Sequence, residues 1–388
     1  MPEAVVVALG RSPIGRAMKG SLVDVRPDEL AATVVDQVLD RVPELDRDTI
    51  EDLICGCGLP GGEQGFNLGR VVSILARLDV PGTTITRYCA SSLQTTRMAA
   101  HAIRAGEGDV FLSVGVESVS RYRNGISDMP QCQNPRLRPG NSEGFPDIYI
   151  AMGETAENVA AREEITREEM DRFALRSQQR AVAAQDSGFF GNEIIPIPLP
   201  NGNEPFSKDD GPRRETSLEK LAALPPVFRE QGSVTAGNSC PLNDGAAAVV
   251  VMSDTRAREL GITPLARIVS TGLSSLQPEF MGLGPIEASH QALSRAGMSI
   301  DDIDVVELNE AFAAQVIPAA RAIGIDPFDE RFNPHGGSIA LGHPFGMTGA
   351  RILCTLLNDL RALDKTIGLE TMCAAGGMGM AMIVERLS

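Results

Sequence analysis

Positive charge is scarce in this chain. Its 35 Lys and Arg residues stand against 51 Asp and Glu, a formal net charge of −16 over 388 residues. That balance argues against general nucleic-acid binding, which draws its affinity from cations that displace counterions. An anionic ligand would need a local basic patch, because the overall field repels it. Long apolar runs are missing too, so no segment is expected to span a membrane. Glycine (39) and proline (25) are frequent but follow no period, which excludes a collagen-like or low-complexity chain. The run MPEAVVVALGRSPIGR reads as a strand and a turn, not as a signal peptide, and VERLS is no peroxisomal address of the usual type. Histidines number only four. Cysteines number seven, and an odd count in a long chain points to reduced thiols and a cytoplasmic compartment. Cys55 and Cys57 form a CxC pair without a second pair or a histidine cluster, so no metal site is expected there. Two small residues on a buried strand is the better reading.

What the chain does contain is ample core and a long repeat. At 43% hydrophobic, it can fill two or three ordinary domains. DELAATVVDQVLDR from Asp28 has helical spacing, and DTIEDLICGCGLP from Asp48 then gives a short buried strand. PIEASHQALSRAG from Pro285 and SIDDIDVVELNEAF from Ser299 repeat that order. After a similar interval come TTITRYCASSLQTTRMAAHAIRAG from Thr83 and GGSIALGHPFGMTGARILCTLLNDL from Gly336. Each is an apolar segment, a turn of small residues and an amphipathic helix, and each leads to another strand. The alternation predicts an α/β chain with a mostly parallel sheet in each half. The halves, 1–260 and 262–388, would pack face to face as a layered sandwich. Residues from about 120 to 237 do not repeat. They combine a Pro-rich stretch, two helical segments and a turn-rich basic segment, which predicts an inserted lid or binding subdomain.

The chemistry concentrates on the turns. Cys89 precedes a helical run, where free N–H groups favour a thiolate and could hold an oxyanion. A buried structural cysteine is the competing reading. His343 lies between Gly342 and Pro344 in the turn that corresponds, in the repeat, to the Cys89 turn, which makes it the candidate base. Of the other histidines, His101 and His290 fall within helices, and His335 either lines the same pocket or is structural. Cys373 ends an apolar strand before AAGGMGMAM, whose small residues let a ligand approach the backbone. Asn309 ends a strand in NEAFAAQ, as a ligand-contacting group or as a helix cap.

These motifs resemble the thiolases, the acetyl-CoA C-acyltransferases and acetyltransferases, over essentially the whole chain. The matching runs are RYCASSLQ, VTAGNSCPLNDGAAA from Val234, NEAFA, GGSIALGHPFGMTGAR and CAAGGMGMA. The resemblance implies a thiolase-like α-β-α-β-α sandwich of two pseudo-repeated halves with an inserted loop domain. It implies thiolysis of 3-ketoacyl-CoA and the reverse Claisen condensation, with coenzyme A or acetyl-CoA as substrate and no permanently bound cofactor. Cys89 would be the acyl-accepting nucleophile, His343 its base, and Cys373 the acid–base group at the α-carbon. One oxyanion hole would use His343 and a water held by Asn309, the other the backbone N–H groups of Cys89 and Ala375. Met152 would lie beside the acyl pocket, Ser239 and Cys240 would line the pantetheine channel, and Arg213 would meet the adenosine phosphates. A homodimer or homotetramer is implied, with association to other β-oxidation enzymes as a further arrangement.

Five positions depart from the family pattern. Ser92 and Ala375 stand where glycines are usual, Cys240 where many members carry serine, Pro241 where glycine is common, and Ala151 where many biosynthetic members carry histidine. The alternatives to a degradative thiolase are an acetoacetyl-CoA-forming enzyme and a non-catalytic acyl-CoA-binding subunit. A decarboxylating ketoacyl synthase is disfavoured by Cys373 and the NEAF run.

Overall fold

The structure, a computed structural model, describes residues 2–122, 130–140, 143–200, 202 and 204–388. Its first part runs β1 (Ala4–Arg11), β2 (Gly15–Arg16), α1 (Pro27–Leu39), β3 (Asp52–Gly56), α2 (Leu68–Leu75), β4 (Gly82–Ile85), α3 (Ser91–Ala105) and β5 (Val110–Ser118). The intervening segment carries α4 (Val119–Tyr122), α5 (Met152–Arg162), α6 (Arg167–Asp186) and α7 (Leu218–Ala222). After it come β6 (Asn243–Ser253), α8 (Asp254–Glu259), β7 (Ala266–Ser275), α9 (Gly284–Ala296), β8 (Val305–Leu308) and α10 (Ala313–Ile323). The chain ends with α11 (Ser338–Leu341), α12 (Thr348–Ala362), β9 (Ile367–Ala374) and β10 (Met378–Arg386). Part of the 121–149 stretch, the expected source of acyl-chain selectivity, lies outside the described residues.

The strands form a path β4-β3-β5-β6-β1-β7-β10-β9-β8. The halves meet at a narrow seam, where β1 and β7 share only the pairs Val5↔Arg267 and Val6↔Ala266. The mostly parallel sheet expected from the sequence is corrected here. β3 pairs in parallel with β4 and β5, and β8 with β9, but the middle of the path is antiparallel. The strand–helix–strand units stay parallel because a helix carries the chain back across the sheet. β10 follows β9 through three residues, too few for any crossover.

Three apolar clusters define the layers. α1 and α2 cover the outer face of the first half, and α5, α6, α9 and α10 that of the second. α3 and α12 pack on each other between the two. In β6, Ala246, Ala248, Val250 and Met252 face the outer cluster, while Ala247, Val249 and Val251 face the central helices. A strand covered on both faces is apolar throughout, which explains its uninterrupted AAAVVVM run. The arrangement is the layered α-β-α-β-α sandwich that the family resemblance implied.

Candidate active site

Cys89 sits in a single tight turn, Tyr88–Ala90, that leads into α3. Tyr88 holds a left-handed φ of +47°, an uncommon conformation for a bulky residue. Ser91 pins this turn, since its hydroxyl accepts from Arg87 N at 2.9 Å and donates to Tyr88 O at 2.6 Å. The helix N-terminus is where the sequence put it, but the expected thiolate is not. Burial, then Cys373, then Glu117 push the Cys89 thiol well up, and the N–H groups of Cys89 and Ala375 only partly oppose this. The resting group is a neutral thiol because desolvation outweighs the helix end.

Cys373 lies on β9, and its thiol is pushed up to about 12 by burial and by Cys240. The Cys240 thiol is raised by burial and by Cys89, so the three thiols lie close enough to raise one another. Ala375 follows in the β9–β10 turn, where positive φ falls on Gly376 (+78°) and Gly377 (+82°). Ala375 keeps ordinary backbone, and the missing glycine costs the N–H nothing.

His343 is fully buried, and burial followed by Arg351 lowers it to about 3. Gly342, at φ +118°, brings the turn against Asn243, whose amide oxygen accepts from His343 N at 2.9 Å. The ring contacts Thr348 Oγ1 through Nδ1 at 2.7 Å and Asn309 Nδ2 through Nε2 at 3.3 Å. Asn309 is therefore no helix cap. α10 begins four residues later with Phe312 at its cap, and the Asn309 side chain turns to His343 and Ser338. His335 is likewise placed away from the pocket. It bonds Asp359 through Nδ1 at 2.5 Å and stacks on Phe189, a structural role.

Glu117, Asn243, Ser338 and Thr348 escaped sequence reasoning. Glu117 is the most informative of them. Its buried carboxylate accepts from Gly58 N, Leu59 N, Gln64 Nε2 and Gly346 N, which ties the His343 turn to the loop after β3. Its acidic letter within the apolar run SVGVES was the available signal. Among the described residues no hydrogen bond joins Cys89 Sγ to His343.

Arg213 is exposed and lines a cavity of about 280 Å³ together with Arg16, Lys220, Ser239 and Pro241. The Ser239 hydroxyl donates to Thr235 O at 2.6 Å. Met152 opens α5 and packs against the apolar cluster that contains Cys373 and borders Cys240. Cys55 lies on β3 and Cys57 directly after it, both buried.

Two family models match the chain: the thiolase N-terminal domain over residues 4–255 and the thiolase C-terminal domain over residues 262–386. A 3-ketoacyl-CoA thiolase of Bacillus subtilis (strain 168) is 42% identical, over 99% of this chain and 100% of that protein. A 3-oxoadipyl-CoA/3-oxo-5,6-dehydrosuberyl-CoA thiolase of Escherichia coli (strain K12) is 43% identical over 100% of both. The crystal structure of the Bacillus anthracis acetyl-CoA acetyltransferase superposes with a TM-score of 0.89 at 37% identity, covering 100% and 99% of the two chains. A layered α/β sandwich with paired thiols at its centre defines an acyl-transferring enzyme. The chain belongs to the thiolase family.

Proposed function

We propose that this enzyme cleaves 3-ketoacyl-CoA with coenzyme A in acyl-CoA degradation, and that Cys89 carries the acyl group between the two half-reactions. The observation that carries the reading is the convergence of Cys89, Cys373 and the Ala375 N–H on one buried spot, with a neutral His343 on the adjoining turn. The relatives named as 3-ketoacyl-CoA thiolases support the substrate class.

In this reading the Cys89 proton passes to His343 as the sulfur attacks the ketone carbon. The bond between the α- and β-carbons breaks, and the acetyl-CoA enolate takes its proton from Cys373. Coenzyme A then attacks acyl-Cys89, its thiol proton passing to the Cys373 thiolate while His343 returns its proton to the departing Cys89 sulfur, which releases a shortened acyl-CoA and restores both thiols. The N–H groups of Cys89 and Ala375 stabilise the oxyanion on the Cys89-bound carbonyl, while His343 and a water on Asn309 stabilise the enolate oxygen. Starting from a neutral thiol suits this scheme, because no charge is buried until the substrate arrives. The balance closes without a metal or redox cofactor.

The exposed cations Arg213 and Lys220 on the 280 Å³ cavity support recognition of the adenosine phosphates, the local patch an acidic protein needs. No helix among the described residues is long and apolar enough to cross a membrane, and all seven cysteines are free, which supports a reducing compartment such as the cytoplasm. Self-association is supported at β4, which ends the strand order and whose Gly82 carbonyl accepts from Asn67, the chain neighbour of the 96%-exposed Phe66; light scattering on the purified chain would measure it. The central test is intact-mass spectrometry after incubation with acetyl-CoA. An acetyl adduct is expected on the native chain and should vanish in Cys89→Ala, and a native chain that stays unmodified would overturn the reading.

A further inference from the structure

His343 is useful as a base only if its Nε2 carries a lone pair, and a chain of hydrogen bonds decides this from more than one residue away. Arg351, on α12, is wholly buried, and a guanidinium can only donate. Its Nη2 donates to Ser338 Oγ at 3.2 Å. The Ser338 hydroxyl, having accepted there, gives its own proton to Asn309 Oδ1 at 2.6 Å. The Asn309 oxygen is thereby committed as an acceptor, so its NH2 must face His343 Nε2, 3.3 Å away. A ring nitrogen facing a donor must be bare. The ring proton then resides on Nδ1, donated to Thr348 Oγ1 at 2.7 Å, and the Thr348 hydroxyl in turn donates to Pro344 O at 2.7 Å. Every bond in the chain points the same way.

Among the described residues Arg351 Nε and Nη1 find no hydrogen-bond partner, and the bond its guanidinium makes is the one to Ser338. Glu307 and Glu370 sit side by side in the parallel β8–β9 register, both buried, and both draw on the Arg351 charge. We infer that Arg351, acting through Ser338, is a positioning residue that locks the Asn309 amide and so selects the Nδ1–H tautomer of His343. The inference rests on the thiolase reading only for why a bare Nε2 matters. The tautomer itself is a property of the free enzyme.

Removing Arg351 would empty a wholly buried site and take away the charge that opposes the upward push of burial on the Glu307 and Glu370 carboxyls, which threatens the fold, so the test falls on Ser338. Ser338→Ala keeps the helix and deletes the relay, whereas Ser338→Thr keeps the hydroxyl. With ¹⁵N-labelled histidine, long-range proton–nitrogen NMR spectra of the substrate-free protein at neutral pH separate the tautomers, and the signal absent from His343→Asn assigns the ring. Native protein and Ser338→Thr should both show the Nδ1–H form, while Ser338→Ala should shift towards Nε2–H. In parallel, kcat of Ser338→Ala should fall by about tenfold to a hundredfold at nearly unchanged KM, with Ser338→Thr restoring it. A Nδ1–H ring in Ser338→Ala, or a native ring protonated on Nε2, overturns the inference. Because the spectra need no substrate, a failed acetyl-adduct test would leave this result standing.

Discussion

Ser92 Oγ accepts a hydrogen bond from the backbone N–H of Ala350 at 2.9 Å. The helix behind Cys89 therefore caps the helix behind His343, because Ala350 lies in the first turn of α12, where N–H groups lack intrahelical partners. The hydroxyl stands where related motifs carry glycine, and it fits because Gly115 leaves room. A Cβ on Gly115 would come within 2.5 Å of Ser92 Cβ. What reads in the sequence as a departure from the motif is a clamp between the two turns.

Ser92→Ala should therefore leave a buried N–H unpaired and lower stability by about 1–2 kcal/mol. The urea midpoint should fall while the m-value stays constant. An unchanged midpoint would show that the clamp carries no energy.

Cys373→Ala should separate the two half-reactions. Acetylation of Cys89 from acetyl-CoA should survive, since the oxyanion donors proposed for it are backbone N–H groups, one of them at Ala375. Carbon–carbon cleavage should slow by about 10²–10⁴-fold, the usual worth of a positioned acid–base group. Single-turnover acylation and steady-state thiolysis, measured side by side, test this.

Arg213→Ala should raise KM for coenzyme A by about tenfold and leave kcat nearly unchanged, the effect of losing one charge-assisted phosphate contact. The native KM should also rise with ionic strength more steeply than that of the variant.

Acid should destabilise the fold through His343. Its folded value near 3 lies below the ordinary 6.5, so between these limits the unfolded chain binds a proton that the folded chain refuses. Stability is then full above about pH 6.5 and falls as pH drops towards 3, by up to about 1.4 kcal/mol per pH unit. His335, lowered to about 4, adds to the same slope. Urea denaturation at pH 7 and pH 5 should show a smaller loss for His343→Gln than for the native protein.

The repeat, the helix starts behind Cys89 and His343 and the strand end at Cys373 were legible because each rests on local periodicity. Asn309 was legible as a candidate but not in its role, since NEAFAAQ looks equally like a cap and only the position of Ser338 distinguishes the two. The antiparallel middle of the sheet was not legible either. The direction of β6 depends on where the chain re-enters after the 120–237 segment, which no local pattern encodes, whereas the short glycine turn between β9 and β10 was there to be read.

By itself the sequence determined which elements form, in what order, and which turns carry the two thiols and the imidazole, because backbone preference and side-chain spacing act over a few residues. The tertiary structure alone decided the state of those groups. Cys89 is neutral because the halves close over it and remove its water. His343 has a definable tautomer because Ser338 on α11, Asn309 after β8, and Thr348 and Arg351 on α12 form one relay that ends at its ring. Ser92 and Ala350 lie 258 residues apart, and only folding brings that donor to that acceptor. Charge state and hydrogen-bond direction depend on burial and on partners distant in the chain, and neither exists until the layers are stacked.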